Sequence, residues 1–186
     1  GALLFNHPRS LASDGTRLAL SDGNNNRVLI WSTAPTANTP PDVVLGQADF
    51  DHNAPGSGLA QLRWPGQVVF TADGKFLVAD SYNDRVLVWL AVPTSNGKAA
   101  DFAITSASLR WPWGVWSDGT RLVVSSTGTA SVLVWTSFPQ SGTIAPSFVI
   151  AGGGIGTPRT VTSNSTALIV GDHNANSSNV GNWWWT

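Results

Sequence analysis

The chain alternates short apolar runs with longer polar, turn-prone stretches, and the alternation has a period. The runs "RVLIW" at 27–31, "RVLVW" at 85–89 and "SVLVW" at 131–135 each close on tryptophan, and a fourth, weaker one closes at Trp185. Proline follows the first three tryptophans four residues on, at Pro35, Pro93 and Pro139. Upstream, Pro8, Pro65, Pro112 and Pro158 mark matching positions, 57, 47 and 46 residues apart. Downstream, "DVVLG", "DFAIT" and "SFVIA" recur in matching places. So many coincident anchors mark a structural repeat.

Each unit resolves into four short strands; in the third these are predicted at 114–116, 121–125, 132–136 and 147–150. Asp14-Gly15, Asp73-Gly74 and Asp118-Gly119 sit where the first strand must turn into the second, a strong hairpin signal. A strand with one wet face would alternate apolar and polar; "RVLVW" does not, which suits a strand covered on both sides. Four strands per repeat, stacked face to face, predict an all-β chain of four-stranded antiparallel β-propeller blades. The blades fall at about 6–50, 63–106, 110–151 and 156–186 of one domain spanning 1–186, the last lacking its outer strand. Uncovered end blades would present large apolar faces. The ring is therefore expected to be completed by further blades or by self-association.

Composition sharpens this picture. Charged residues make up 11% of 186, glutamate is absent, and the only lysines are Lys75 and Lys98. Good helix formers are scarce while strand and turn formers abound. A formal net charge of −1 supplies no basic field for nucleic acid, and the longest apolar run, 86–92, is too short to insert in a membrane. Without cysteine there is no thiolate zinc site and no disulfide framework. No charged n-region with a long apolar h-region opens the chain, and position 1 is not methionine. A processed chain or a piece of a longer one is expected.

Two segments combine these features: "LSDGNNNRVLIW" (20–31) and "ADSYNDRVLVW" (79–89). With the upstream proline and Asp-Gly they give Pro…Asp-Gly…Asp-x-x-Asn-x-Arg-Val-Leu-Val, which resembles the NHL repeat. The linker "VVLGQADF" (43–50) is similar to one common in bacterial, often exported NHL-repeat proteins. The resemblance implies a propeller and an extracellular or periplasmic location. Unit three departs from the pattern with Ser126 and Ser131 for the Asp and Arg; unit four keeps Asp172 but carries an insertion and Asn182 where valine is expected. The Asp and Asn can cap turn backbone, and the Arg can pair with a carboxylate of its own or a neighbouring blade. That is an architectural role.

Chemistry-bearing residues are few. His7, His52 and His173 fall in loops of three units and could reach one face as a zinc set, as the resemblance to NHL-like peptidylglycine amidating lyases implies. No His-x-His spacing supports it. Asp22, Asp80 and Asp172 share one repeat position and could offer oxygens to calcium in a central channel, or simply cap turns. No Gly-x-Ser-x-Gly elbow occurs, and "GGGIG" (152–156) lacks the lysine of a phosphate loop. Ten tryptophans stand out. Trp31, Trp89 and Trp135 belong to the core by repeat position, and Trp113 and Trp116 are expected to alternate within a strand. "NWWWT" at the end suits a strand buried on both faces, or a docking edge. Trp64 and Trp111, each preceded by arginine (Arg63, Arg110), should line one face together with Asn83. A ring beside such donors is how sugars are held.

Two functional classes follow. The first is a non-catalytic binding or assembly module of an exported bacterial protein, contacting protein or glycan through loops on one face, with no cofactor. The second is a lyase-like or lactonase-like enzyme with zinc or calcium in the channel. Low charge, no glutamate and few histidines favour the first.

Overall fold

The computed structural model describes residues 1–164, 166–174 and 182–185. Three four-stranded antiparallel meanders follow one another: β1 (Pro8–Ser13), β2 (Leu18–Asp22), β3 (Arg27–Trp31) and β4 (Val43–Leu45); β5 (Pro65–Phe70), β6 (Phe76–Asp80), β7 (Arg85–Trp89) and β8 (Phe102–Ile104); β9 (Pro112–Ser117), β10 (Leu122–Ser126), β11 (Ser131–Trp135) and β12 (Phe148–Ala151). A fourth sheet holds β13 (Pro158–Ser163), β14 (Leu168–Asp172) and β15 (Asn182–Trp185). The chain is all-β, built of propeller blades. The insertion before β15 and the side chains of the 183–185 tryptophan run lie outside the described residues.

Local chemistry sets both hairpins of each blade. At the first, Asp14 Oδ1 accepts the backbone N–H of Thr16 and Arg17 (3.0 and 2.7 Å), and Asp118 does the same for Thr120 and Arg121. These bonds, the one from Arg17 foremost, hold the Asp14 carboxyl below its ordinary range. Gly15, Gly74 and Gly119 follow with φ near +90° (93°, 89° and 92°), which only glycine adopts without strain. The second hairpin is one 3-10 turn (Gly23–Asn25, Ser81–Asn83, Thr127–Thr129) ending on a left-handed residue, Asn26, Asp84 or Ala130.

The Asp-x-x-Asn-x-Arg pattern organises that turn. Asp80 is fully buried; its Oδ2 accepts from Asn83 Nδ2 and Arg85 Nε, both at 2.8 Å, and its Oδ1 from Arg63 N. Arg85 then directs three of its other N–H groups to the carbonyls of Ser57, Gly58 and Gln61, fastening the incoming linker. Asp22, Asn25 and Arg27 repeat the arrangement around the carbonyls of Phe50 and Leu4. The arginine thus pairs within its own blade. Burial pushes the Asp80 carboxyl up, against the opposing pull of these donors. Blade three keeps the shape without charge: Ser126 Oγ accepts from Arg110 N and Thr129 Oγ1 (2.8 and 2.7 Å), and Thr129 Oγ1 meets Ser131 Oγ at 2.8 Å.

Blades stack through apolar faces. β3, β7 and β11 are buried at every position. Val28 and Ile30 pack on Phe76, Leu87 and Trp89; Val86 and Val88 on Leu122, Leu133 and Trp135; Val132 and Val134 on Val161 and Val170. Trp31, Trp89 and Trp135 are 5%, 1% and 2% exposed, and each indole N–H donates to an outer-loop carbonyl, of Thr39, Lys98 and Ile144. On its remaining face, blade one gathers Leu20, Leu29, Trp31 and Val44 with Leu18 and Phe50, and leaves Leu11 65% exposed.

The first strands β1, β5, β9 and β13 lie side by side at the inner edge. Glycine permits this approach: a Cβ on Gly66 would stand 2.4 Å from Trp113 O, and one on Gly114 2.3 Å from Arg159 O. Side chains lace the inner edge, with Ser21 Oγ donating to Pro65 O, Ser81 Oγ to Pro112 O and Thr127 Oγ1 to Pro158 O. Gln67 reaches two blades on, donating to Val161 O (3.2 Å) and accepting from Val115 N.

The triad can be tested by comparing blades. Asp80→Ala should destabilise by about 3–5 kcal/mol, because it strands a buried guanidinium. The triple substitution Asp80→Ser, Asn83→Thr, Arg85→Ser copies blade three and should cost less than the single one. Urea unfolding midpoints of the two variants decide it.

Candidate functional site

The loops that enter β1, β5, β9 and β13 meet the 3-10 turns on one rim of the stack, and this rim carries the candidate site. The residue before each strand-opening proline is His7, Trp64, Trp111 or Thr157. The first three adopt left-handed φ of 59°, 56° and 50°, although none is glycine. Such backbone costs of order 1–3 kcal/mol unless its surroundings over-determine it. They do at two of the three: Trp64 N donates to Asn26 Oδ1 and Trp111 N to Asp84 Oδ1, each from the left-handed corner of the preceding blade.

The residue after the proline is handled differently. In β1, β9 and β13 the ladder slips between the proline and the second residue beyond it, so Arg9, Trp113 and Arg159 have no partner on the neighbouring strand. Bulges of this kind re-aim a side chain out of the sheet. Trp113 therefore does not simply alternate with Trp116. Trp113 joins the rim cluster, whereas Trp116 lies on the blade face, in contact with the core between blades three and four.

Two sets of loops and one set of bulges bring the rings together. Trp64 stacks on Tyr82 (4.5 Å, 19°), Tyr82 meets Trp111 (5.8 Å), Trp111 meets Trp113 (5.8 Å), and Trp113 closes edge-on against Trp64 (5.9 Å). His7 stacks on Trp64 at 5.9 Å. The Arg9 guanidinium lies 4.0 Å from the centre of Trp64 and 3.3 Å from that of Trp113, and Arg159 lies 4.1 Å from Trp113. Gly23 gives Arg9 passage, since a Cβ there would press on its stem at 2.7 Å. His7 and Tyr82 are exposed, Trp64, Trp111 and Trp113 half-buried. This is a mixed surface of aromatic faces and cationic edges.

The electrostatics are one-sided. Burial, with the neighbouring charge of Arg159, pushes the Arg9 guanidinium down to about 10, while Tyr82 pulls weakly the other way. Arg9 stays charged at neutral pH; the cost of holding that charge eases only as pH rises through about 10. Among the described residues, every buried side-chain nitrogen or oxygen without a hydrogen-bond partner belongs to this rim: Nε, Nη1 and Nη2 of Arg9, Nε of Arg159, Nε1 of Trp111 and Oγ1 of Thr157.

Of the residues singled out in sequence, Trp64 and Trp111 reach the rim, with Arg63 above Tyr82 at 5.9 Å and Arg110 3.4 Å from Asp84. Asn83 serves the turn instead, its amide bound to Asp80 and Gly56 O. The histidines separate: His7 is on the aromatic rim, His52 pairs with Asp49 in the linker (2.6 Å), and His173 follows β14. Asp49 raises the His52 imidazole above its ordinary value through that hydrogen bond. Asp22 and Asp80 are occupied inside their own blades, and Asp172 accepts from Gly156 N, Thr157 N and Asn174 N. Among the described residues no three such groups come together as a metal would need. Neither the histidines expected for zinc (His7, His52, His173) nor the aspartates expected for calcium (Asp22, Asp80, Asp172) form such a group there, and each aspartate caps its own turn. Sequence reasoning missed Arg9, Tyr82, Trp113 and Arg159. The aligned pairs Pro8-Arg9, Pro112-Trp113 and Pro158-Arg159 carried a signal, but only the bulge gives it direction.

No protein-family model matches the chain, and no curated protein does. Many solved structures share its fold. A computationally designed protein, Ika4, is 9% identical with a TM-score of 0.56 over 97% of this chain and 91% of that one. A hydrazine synthase from Kuenenia stuttgartiensis is 16% identical (TM-score 0.64; 99% of this chain, 48% of that one). A virginiamycin B lyase from Staphylococcus aureus, determined with quinupristin, is 11% identical (TM-score 0.58; 95% and 55%). The chain thus spans about half the length of the two natural proteins. These likenesses show a β-propeller fold and nothing about function.

Replacing Arg9 tests whether the rim is strained. Arg9→Met keeps the stem and removes a desolvated, unpaired charge, so the variant should be at least as stable as the parent. Thermal unfolding at pH 7 reads this out; a midpoint lower by several degrees would show that Arg9 is a structural tie.

Proposed function

We propose that the chain is a non-catalytic binding module that takes a glycan on the aromatic rim. The observation that carries this reading is the convergence of Trp64, Tyr82 and Trp111 from separate loops into one partly exposed platform. Sugar rings present apolar C–H faces that stack on aromatic planes, while Arg63 and Arg110, both exposed, offer edge donors to hydroxyls. The strained backbone at Trp64 and Trp111 supports the same reading, since it presents the rings where the blade core has no need of them.

The repeats themselves are assigned to the NHL type on their Asp-x-x-Asn-x-Arg turns, and with them an exported bacterial protein is proposed. Enzymatic action is not part of the proposal.

A panel of oligosaccharides measured by calorimetry tests the reading. Trp64→Ala and Tyr82→Ala should each weaken binding by about 30-fold, as anchors worth ~2 kcal/mol. A surface control, Leu90→Ser, should leave it unchanged. Binding to no oligosaccharide, or binding indifferent to both ring substitutions, overturns it.

A further inference from the structure

We propose that the junction of blades one and two holds a second sugar subsite, a depression where Gln47, His52, Gln61 and Asn96 receive the hydroxyls of a neutral sugar unit. The ligand class rests on the glycan reading of the rim; the site lies outside the aromatic cluster and stands on separate observations. Three stretches of chain meet there: the linker leaving β4 (46–54), the entry to β5 (60–61) and the loop between β7 and β8 (96–97). They enclose about 480 Å³, a volume in the range of small-ligand sites.

Each of the four polar side chains is tethered at one end and uncommitted at the other. Gln47 Nε2 donates to the carbonyls of Asn26 and Ala54 (2.8 and 3.0 Å), which leaves Oε1 without a partner among the described residues. Asn96 Oδ1 accepts from Val44 N at 3.0 Å and Gln61 Oε1 from Gly58 N at 3.1 Å, which leaves both side-chain NH2 groups. His52 Nδ1 is held 2.6 Å from Asp49 Oδ1, which leaves Nε2. The tethers orient the free ends before any ligand arrives, which lowers the ordering cost of binding. Solvent reaches them: His52, Gln61 and Asn96 are exposed, and Gln47 Oε1 is not among the buried atoms that lack a partner.

The donor and acceptor set selects the ligand. Among the described residues no arginine, lysine or carboxylate lines the depression, so it carries no fixed charge to match a charged ligand. Two NH2 groups donate, one amide oxygen accepts, and the imidazole nitrogen does either according to protonation. Hydroxyls donate and accept at once, and a sugar presents several on one ring. Gly46, Ala48, Ala54, Ala60 and Gly97 keep the walls short, which leaves room for that ring. No aromatic plane lines it, so this subsite reads hydroxyls where the platform reads ring faces. The two are linked along the chain. Ala54 is followed by Pro55, Gly56 and Ser57, which with Arg63 and Asn83 line a smaller hollow of about 150 Å³, and Arg63 stands 5.9 Å from the centre of the Tyr82 ring. A glycan stacked on Tyr82 has this hollow as its path toward Gln61.

The test titrates methyl glycosides of glucose, galactose and mannose while proton–nitrogen correlation spectra follow the side-chain NH2 groups of Gln61 and Asn96. Saturable shifts of both groups are expected in the parent, in Trp64→Ala and in the control Ala37→Phe. Ala48→Phe fills the depression from an exposed position and should weaken binding at least tenfold. His52→Ala removes one hydrogen-bonding group and should weaken it about fivefold. Both positions are exposed, so the thermal midpoints of these variants should match the parent's. Shifts absent with every glycoside overturn the subsite, whatever the platform binds. Shifts that vanish in Trp64→Ala place the sugar on the platform and overturn a separate subsite. Shifts kept in Trp64→Ala, with oligosaccharide binding indifferent to the ring substitutions, leave the subsite and remove the platform. Cyclohexanol, a ring with one hydroxyl, should bind at least tenfold more weakly than the best glycoside, and equal binding overturns recognition through hydroxyls. N-Acetylalanine methylamide binding more tightly than every glycoside overturns the sugar in favour of a peptide.

Discussion

The third strand of each of blades one to three is buried at every position, and the rest of the molecule follows from that. A sheet with one wet face can place polar groups on it; β7, buried at all five positions, has no such outlet. Beyond Arg85, which is paired to Asp80, its side chains are therefore apolar, and they contribute through contact with neighbouring blades. Polar chemistry is displaced to the ends of the strands, where the chain turns. The two rims must satisfy the turn backbone, tie one blade to the next and carry whatever the protein recognises.

The turn after the second strand shows how narrow that allowance is. In blades one and two a buried carboxylate, an amide and a guanidinium meet at 2.8 Å, and the guanidinium also closes the linker. Blade three fills the same geometry with three hydroxyl side chains at 2.7 and 2.8 Å. The two solutions share a hydrogen-bond topology and differ in charge. Because buried ion pairs offset their desolvation only roughly, a neutral network is a workable replacement. The departure of unit three from the repeat pattern is thus a change of chemistry at constant architecture.

This separation explains what could be read from the sequence. Core tryptophans at 31, 89 and 135, the strand order and the Asp-Gly hairpins follow from periodicity and turn chemistry, which are local. Trp64 and Trp111 were legible as rim residues because each stands before a strand-opening proline. The direction of Arg9, Trp113 and Arg159 was not, since it depends on a register slip between β1 and β2, β9 and β10, and β13 and β14. A one-residue slip inverts the facing of a side chain, and nothing in composition announces it. Tyr82 was hidden for a related reason: it sits inside the Asp-x-x-Asn turn, where its neighbours read as architecture. The aspartates share a repeat register, but their turn bonds could not be read from it: Asp22 and Asp80 are engaged within their own blades and Asp172 by backbone N–H groups.

The rim between the first strands runs against the economy of the rest. Elsewhere the buried Asp22 and Asp80 meet guanidinium groups, and the core indoles of Trp31, Trp89 and Trp135 each donate to a carbonyl. Here two guanidinium groups share one ring, an indole N–H has no acceptor, and three non-glycine residues hold left-handed backbone. Folding alone does not require this, because the junctions between blades are already closed by their apolar faces and by the Ser21, Ser81 and Thr127 bonds. The stack can carry such a cost since its stability is spread over successive interfaces, as in other repeat arrays. A locally unfavourable arrangement that the core neither needs nor prevents is what a preorganised binding site looks like before its ligand arrives.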